Sequence, residues 1–191
     1  ELLSSTGGTF KSPATNYYQI ERDTLKVSEN VAQVFLGMRI QCAQCHNHPF
    51  DRWTQGDYYD WASAFAKIDY KLLKNIRRDG LDKHEFNGEQ VVYMKSNGSV
   101  KNPKTGEAAP ARFLSAGQPV PKGDDPLREM AKWMTSPNNP FFARAQANRI
   151  WYHLMGRGLV NPVDDFRPTN PATHPVLLDL LATEFIDNGY D

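Results

Sequence analysis

The sequence predicts a mainly α-helical fold with one small β insertion. Three observations carry that prediction. Apolar residues recur at helical spacing in several separate stretches, and helix start and stop residues bracket them. One short β-prone run sits in a segment punctuated by Pro and Gly. The chain has 191 residues, the size of one domain or two small ones, and 40% of them are apolar and 12% aromatic, enough to build a core.

Residues 1–27 read as irregular, with Gly7, Gly8 and Pro13 as breakers. The first helix is expected from Ser28, a good N-cap, with Glu29 at the positive end of the helix dipole. Val31, Val34, Phe35 and Met38 then make one apolar stripe that runs towards Cys42. A second helix is expected from Thr54, which has capping-box spacing to Asp57, and continues to about Arg78. Its stripe is Tyr58, Trp61, Ala62 and Phe65.

The segment 84–123 is different. Val91, Val92, Tyr93 and Met94 are β-prone, Asn97-Gly98 is a turn signal, and several prolines follow, so a small hairpin with ordered loops is expected. Helices return at Asp125-Pro126, an N-cap and N1 pair, with Leu127, Met130, Ala131 and Met134 as the stripe. Asn139-Pro140 opens another helix, which ends at Gly156. Thr173 opens the last, with Leu177, Leu180 and Leu181 facing inward. The expected organisation is a helical segment over 1–83, a loop-rich β insertion over 84–123, and a helical segment over 124–191 packing on the first, compatible with a single structural unit.

Lys plus Arg number 22 and so do Asp plus Glu, giving a formal net charge of zero. A protein that neutralises many phosphates carries a basic excess, so nucleic acid is not an expected partner. No run approaches the ~18 apolar residues of a membrane span. No leader-like stretch opens the chain, and its abrupt start at Glu1 and stop at Asp191 read as those of a piece of a longer protein.

The segment that carries chemistry is QCAQCHNHPF, in which Cys42, Cys45 and His46 form C-x-x-C-H, the attachment pattern of a c-type haem. Two thiols three residues apart on one turn can each form a thioether to a haem vinyl group, and the imidazole that follows can reach the iron. The chain's two cysteines both lie in this motif. By chance, a second Cys would fall three residues after the first about once in a hundred times, and a His would follow about once in forty. With the helical stripes, the motif makes the expected fold a helical haem-binding domain. Three other readings compete. The cysteines could be buried free thiols with His46 in a core. Cys42, Cys45, His46 and His48 could hold zinc, although four crowded donors suit a tetrahedron poorly. The third reading is a dithiol redox motif, which should follow a strand rather than a helix.

The stretch Val31–Phe65, which contains QCAQCHNHPFDRWTQGDYY, resembles a planctomycete cytochrome-like domain. Residues Asn139–Tyr190, with NPFFARAQANRIWYHLMGRGLVNPVDDFRPTNPATHP, resemble its usual C-terminal companion. The resemblance implies a large protein exported across the inner membrane, to the periplasm or the cell surface, and c-type haem is attached on the outer side of that membrane.

An electron-transfer haem commonly has two axial ligands. With His46 on one side, His153 in mid-helix is the first candidate for the other, and His174 at a helix start is the next. Each has the plainer role of a core or capping histidine. His48 is too close to His46 to reach the opposite face and suits a supporting or surface role. His84 reads as solvated. Trp53, Trp61, Phe65 and Trp151 could pack the porphyrin or simply the core, and Arg52 and Arg149 could pair with propionates or form surface ion pairs. Lys67, Lys71, Lys74 and Arg78 would form one basic stripe on a helix, while the C-terminal part is acidic. Such patches could steer a redox partner, although a solvated face is the commoner meaning.

No nucleophile elbow, phosphate loop or paired-carboxylate motif stands out. The leading expectation is a mono-haem electron-transfer module rather than an enzyme. It would have haem c as cofactor, with a redox protein and the flanking domains of the parent protein as partners. The alternatives are a haem enzyme or gas or redox sensor with an open distal face, and a non-haem interaction module, zinc-bound or purely structural.

Overall fold

The computed structural model of the chain describes residues 1–19, 21–75, 88–114, 117–121 and 125–191. Its elements run β1 (Gly7–Gly8), α1 (Thr24–Leu36), α2 (Gln55–Ser63), β2 (Ile68–Asn75), β3 (Gly88–Met94), α3 (Pro126–Met134), α4 (Phe142–Met155) and α5 (Pro175–Asp187). Two 3₁₀ helices cover Pro13–Gln19 and Gln41–Gln44. The chain forms two compact units, each drawn from two separate stretches: residues 1–28 with 59–131, and residues 29–58 with 132–191.

The first unit holds an antiparallel sheet with β3 between β1 and β2. Buried Val92 on β3 faces Gly7 on one side and Tyr70 on the other. Thr9 ties the short edge strand down: its N–H donates to the Gln90 carbonyl, and its hydroxyl accepts from the Gln90 N–H. Trp61 is fully buried, with its ring edge-on to Phe65 at 5.2 Å and its indole N–H donating to the Ser28 carbonyl at 2.9 Å. Tyr70 donates its hydroxyl to the Glu21 carbonyl and carries the Arg22 guanidinium over its ring. Burial pushes the Tyr70 pKa up to about 12, against the opposing pull of Arg22. After β3 the chain turns through Gly98 against the α2–β2 connection. A Cβ on Gly98 would stand 2.2 Å from the Ala66 carbonyl oxygen, a backbone atom with little room to retreat. Gly98→Ala is therefore expected to cost about 2 kcal/mol, the scale of an overpacked contact, measured as a shift in urea midpoint.

The second unit is built on α4 and α5, which pack together around Leu159, Val160 and Leu178, with Trp151, Phe166, Leu177 and Leu181 against them. α4 begins where the Asn139 side-chain oxygen accepts from the N–H groups of Phe141 and Phe142. It ends at Gly156, whose φ of 77° is the left-handed cap expected there. α1 stops in the same way at Gly37, φ 70°, where a Cβ would meet the Phe166 ring at 2.6 Å. Buried Asn148 on α4 accepts from the Val160 N–H and donates to the Val160 carbonyl, at 3.0 and 2.9 Å. Gln146 donates to the carbonyls of Val34 and Phe35, which closes the free end of α1.

The helical haem-binding domain expected from the stripes is corrected. The fold is α/β, with a three-stranded antiparallel sheet. Among the described residues no group of three or more His, Cys, Asp or Glu side chains is placed to hold a metal ion. The expected hairpin does not form around Asn97-Gly98. β3 pairs instead with β1 and with β2, from segments read as irregular and as helix. α2 ends at Ser63, and Lys71 and Lys74 of the supposed helical stripe lie on β2, with Lys74 opposite Glu89. Arg78 and His84 fall outside the described residues. α1 starts earlier than expected because Asp23 caps it, accepting from the N–H groups of Leu25 and Lys26. Ser28 lies inside the helix and bonds back to the Leu25 carbonyl. On α5 Leu177 and Leu181 pack inward as expected, beside the fully buried Leu178, but Leu180 is 59% exposed.

Candidate functional site

The C-x-x-C-H motif lies in the second unit, on the 3₁₀ helix Gln41–Gln44 and the residues just after it. Backbone bonds wind the turn: the Ala43 N–H donates to the Ile40 carbonyl, and the N–H groups of Cys45 and His46 both reach the Cys42 carbonyl. Ala43 faces the interior and is fully buried, so Cys42, Cys45 and His46 are left exposed. Both cysteines are free thiols.

Three bonds hold the following loop. The Gln55 side chain donates to the Gln44 carbonyl, the Gln55 N–H donates to the Asn47 side chain, and the His48 N–H donates to the Trp53 carbonyl at 2.8 Å. Thr54 and Asp57 then start α2 with the expected reciprocal cap, Asp57 N–H to the Thr54 hydroxyl and Thr54 N–H to the Asp57 carboxylate.

The His46 Nδ1 lies 2.7 Å from the Asn47 carbonyl oxygen. A carbonyl only accepts, so Nδ1 carries the proton and Nε2 keeps the lone pair of the neutral ring. That is the tautomer a metal-ligating histidine uses, with the second nitrogen anchored to backbone. A c-type haem fits this donor set on the attachment side: two accessible thiols on one turn, and an oriented imidazole.

The other candidates are placed variously. His153 is exposed on α4, edge-on to Tyr152. His174 is exposed at the N-cap of α5, with no side-chain cap bond. His48 accepts from the Phe50 N–H. Trp53 is buried beneath the Arg52 guanidinium, whose carbon stands 4.7 Å from the ring centroid. Arg149 donates to the Val34 carbonyl at the end of α1. Trp61 and Phe65 belong to the first unit and fill its core. The four-donor zinc arrangement of Cys42, Cys45, His46 and His48 is not assembled.

Sequence reading missed the support beneath the turn. Asp164 accepts from Gln33 on α1 and pairs with Arg39, just ahead of the motif. Burial alone would raise its carboxyl pKa, but the bonds from Gln33 and Arg39 and the Arg39 charge outweigh it and hold the pKa below the usual carboxylate value. A depressed folded pKa means that this stabilisation is present above the unfolded value and is lost as pH falls through the folded one. The second unit is thus expected to weaken below about pH 4, and Asp164→Asn to lower stability at neutral pH while flattening that acid slope. Urea midpoints at neutral pH and at about pH 3 check both effects.

Residues 7–70 match the family described as PSCyt2, a protein of unknown function (DUF1549), and residues 128–191 match the family described as PSD1, a protein of unknown function (DUF1553). No curated protein and no solved structure matches the chain. The cysteine turn falls within the first match, and α4 and α5 fall within the second. The chain is therefore similar to these two families in succession, the pairing of a domain with its C-terminal companion.

Proposed function

We propose that the Cys42–His46 turn is the covalent attachment site of one c-type haem, and that the chain is an electron-transfer module of an exported protein. One observation carries this reading. Two free, exposed thiols three residues apart share a turn with an imidazole whose Nδ1 is bound to backbone, leaving Nε2 for a metal. Cys42 and Cys45 would each form a thioether, and His46 would be a ligand to the haem iron. Bound there, the haem would supply a one-electron iron couple. His153 is the first candidate for the second ligand, with His174 as the alternative. Arg52 and Arg149 are the cations proposed to face the propionates. Attachment of this kind takes place outside the inner membrane, in keeping with export. Among the described residues no helix is long and apolar enough to cross a membrane.

The test is expression in a periplasm with c-type maturation machinery, followed by acid-acetone extraction and a pyridine haemochrome spectrum. The wild-type chain should keep its haem through extraction, and the double variant Cys42→Ala, Cys45→Ala should keep none. Both side chains are exposed, so the variant should still fold. A colourless wild-type protein from working maturation machinery would sink the proposal.

A further inference from the structure

The second unit contains a cavity of about 360 Å³ that neither the cysteine turn nor the family matches account for. Its walls come from three stretches far apart in sequence: Arg52 and Trp53 before α2, Phe141 and Arg144 at the start of α4, and Phe166 and Arg167 in the loop before α5. Prolines 140, 168 and 171 add further flat, apolar surface. The volume lies at the low end for small-molecule sites, room for a single ring with a polar substituent.

Besides the Arg144 Nε–H, which stands 3.2 Å from the Asp179 carboxylate as an ion pair but makes no hydrogen bond, two donors in these walls lack acceptors. Trp53 is only 4% exposed, yet its indole Nε1–H makes no hydrogen bond. The Arg167 Nε is likewise buried without a partner. Buried N–H groups are almost always satisfied, so two in the walls of one cavity point to an acceptor that the protein itself does not supply. Indole and guanidinium groups donate and cannot accept, so the missing group is an acceptor such as a carboxylate.

The charge balance narrows the class. Arg167 pairs with Asp165, Arg144 pairs with Asp179, and Asp51 lines the cavity beside Arg52. The three guanidinium charges are thus largely offset. A doubly charged phosphate would meet too little positive charge, whereas a singly charged carboxylate needs donors more than net charge. Stacking of Arg52 over Trp53 at 4.7 Å and near Phe141 at 5.8 Å leaves planar surfaces for a planar ligand.

We infer that this cavity binds a small organic carboxylate carried on a flat, largely apolar body, with the Trp53 indole N–H and the Arg167 Nε–H donating to the carboxylate oxygens. The inference does not rest on haem attachment, and the three probes are titrated into the chain without haem.

The probes are benzoate, its neutral isostere benzamide, and inorganic phosphate. Each is titrated into the full chain while the tryptophan indole N–H signals are followed by NMR, with that of Trp53 assigned from Trp53→Phe. Benzoate should saturate and shift the Trp53 indole signal, and benzamide should bind at least about tenfold more weakly. Trp53→Phe keeps a ring and removes the donor, and should weaken benzoate about tenfold, read by calorimetry because the variant lacks the reporting indole. Arg167→Lys is the second variant: it keeps the cation that pairs with Asp165 and loses the Nε–H donor, so the fold should survive while benzoate binding falls. Three results overturn the inference: no saturable shift of Trp53, equal binding of benzoate and benzamide, or phosphate binding without benzoate binding. A fourth arm uses the haem-loaded chain. Loss of benzoate binding there would assign the carboxylate to the cofactor and overturn the free-acid reading.

Discussion

Replacing Trp61 by alanine is expected to destabilise the protein by about 4 kcal/mol, within the range for emptying a buried indole site. Trp61 is fully buried and meets Phe65 edge-on at 5.2 Å. Its N–H also satisfies the carbonyl of Ser28, itself fully buried in α1. The alanine variant loses the ring and leaves that carbonyl without its indole donor. Trp61→Phe separates the two contributions: it keeps most of the apolar volume and loses the donor, and should cost about 1–2 kcal/mol. Urea unfolding of both variants measures the difference. A loss below about 1 kcal/mol for Trp61→Ala would mean that the site collapses around the deletion and that the core is far less fixed than its burial suggests.

Asn148→Ala is expected to cost about 3 kcal/mol through a different mechanism. Asn148 sits in mid-α4 with no exposure, a poor place for an amide unless both of its ends are used. Here Oδ1 accepts from the Val160 N–H and Nδ2 donates to the Val160 carbonyl, so one side chain imitates a strand partner for a buried loop residue. Alanine would strand two buried backbone groups, each worth about 1–3 kcal/mol when unsatisfied. Asn148→Asp is the sharper probe. It keeps the acceptor for the Val160 N–H but turns a second oxygen towards the Val160 and Val163 carbonyls, which Asn148 now faces with Nδ2 at 2.9 and 3.4 Å. It should therefore be no better than alanine despite its near-identical shape. Hydrogen exchange at the Val160 amide should accelerate in the alanine variant. An unchanged rate would show that the loop is held by other bonds.

Local signals were legible where one residue determines a boundary. The reciprocal Thr54–Asp57 cap, the Asp125 cap of α3 and the left-handed Gly156 formed as the sequence indicated, while α4 starts at Phe142, just after the Asn139-Pro140 signal. What failed was type and partner wherever a distant segment decides. Ile68–Asn75 carries lysines at helical spacing directly after an amphipathic helix, yet β3 offers it a ladder that no local pattern reveals, and it becomes a strand. Gly7 and Gly8 read as breakers, yet they pair with Val92 and Val91, with Gly7 at a φ of 113° that favours glycine. The cysteine turn was visible because its chemistry is contiguous in sequence. The cavity at Trp53 and Arg167 was not, because its walls come from stretches more than a hundred residues apart.

The two units are each discontinuous in sequence, and their boundaries at Ser28/Glu29, Tyr58/Tyr59 and Ala131/Lys132 fall inside α1, α2 and α3 rather than in linkers. A cut after residue 70, where the first family match ends, would thus not release a self-contained piece. It would take part of each unit and leave both without residues from the rest of the chain. For anyone designing truncations, or tracing how such modules were exchanged between genes, the stretch that is inherited and the stretch that folds are different objects in this protein.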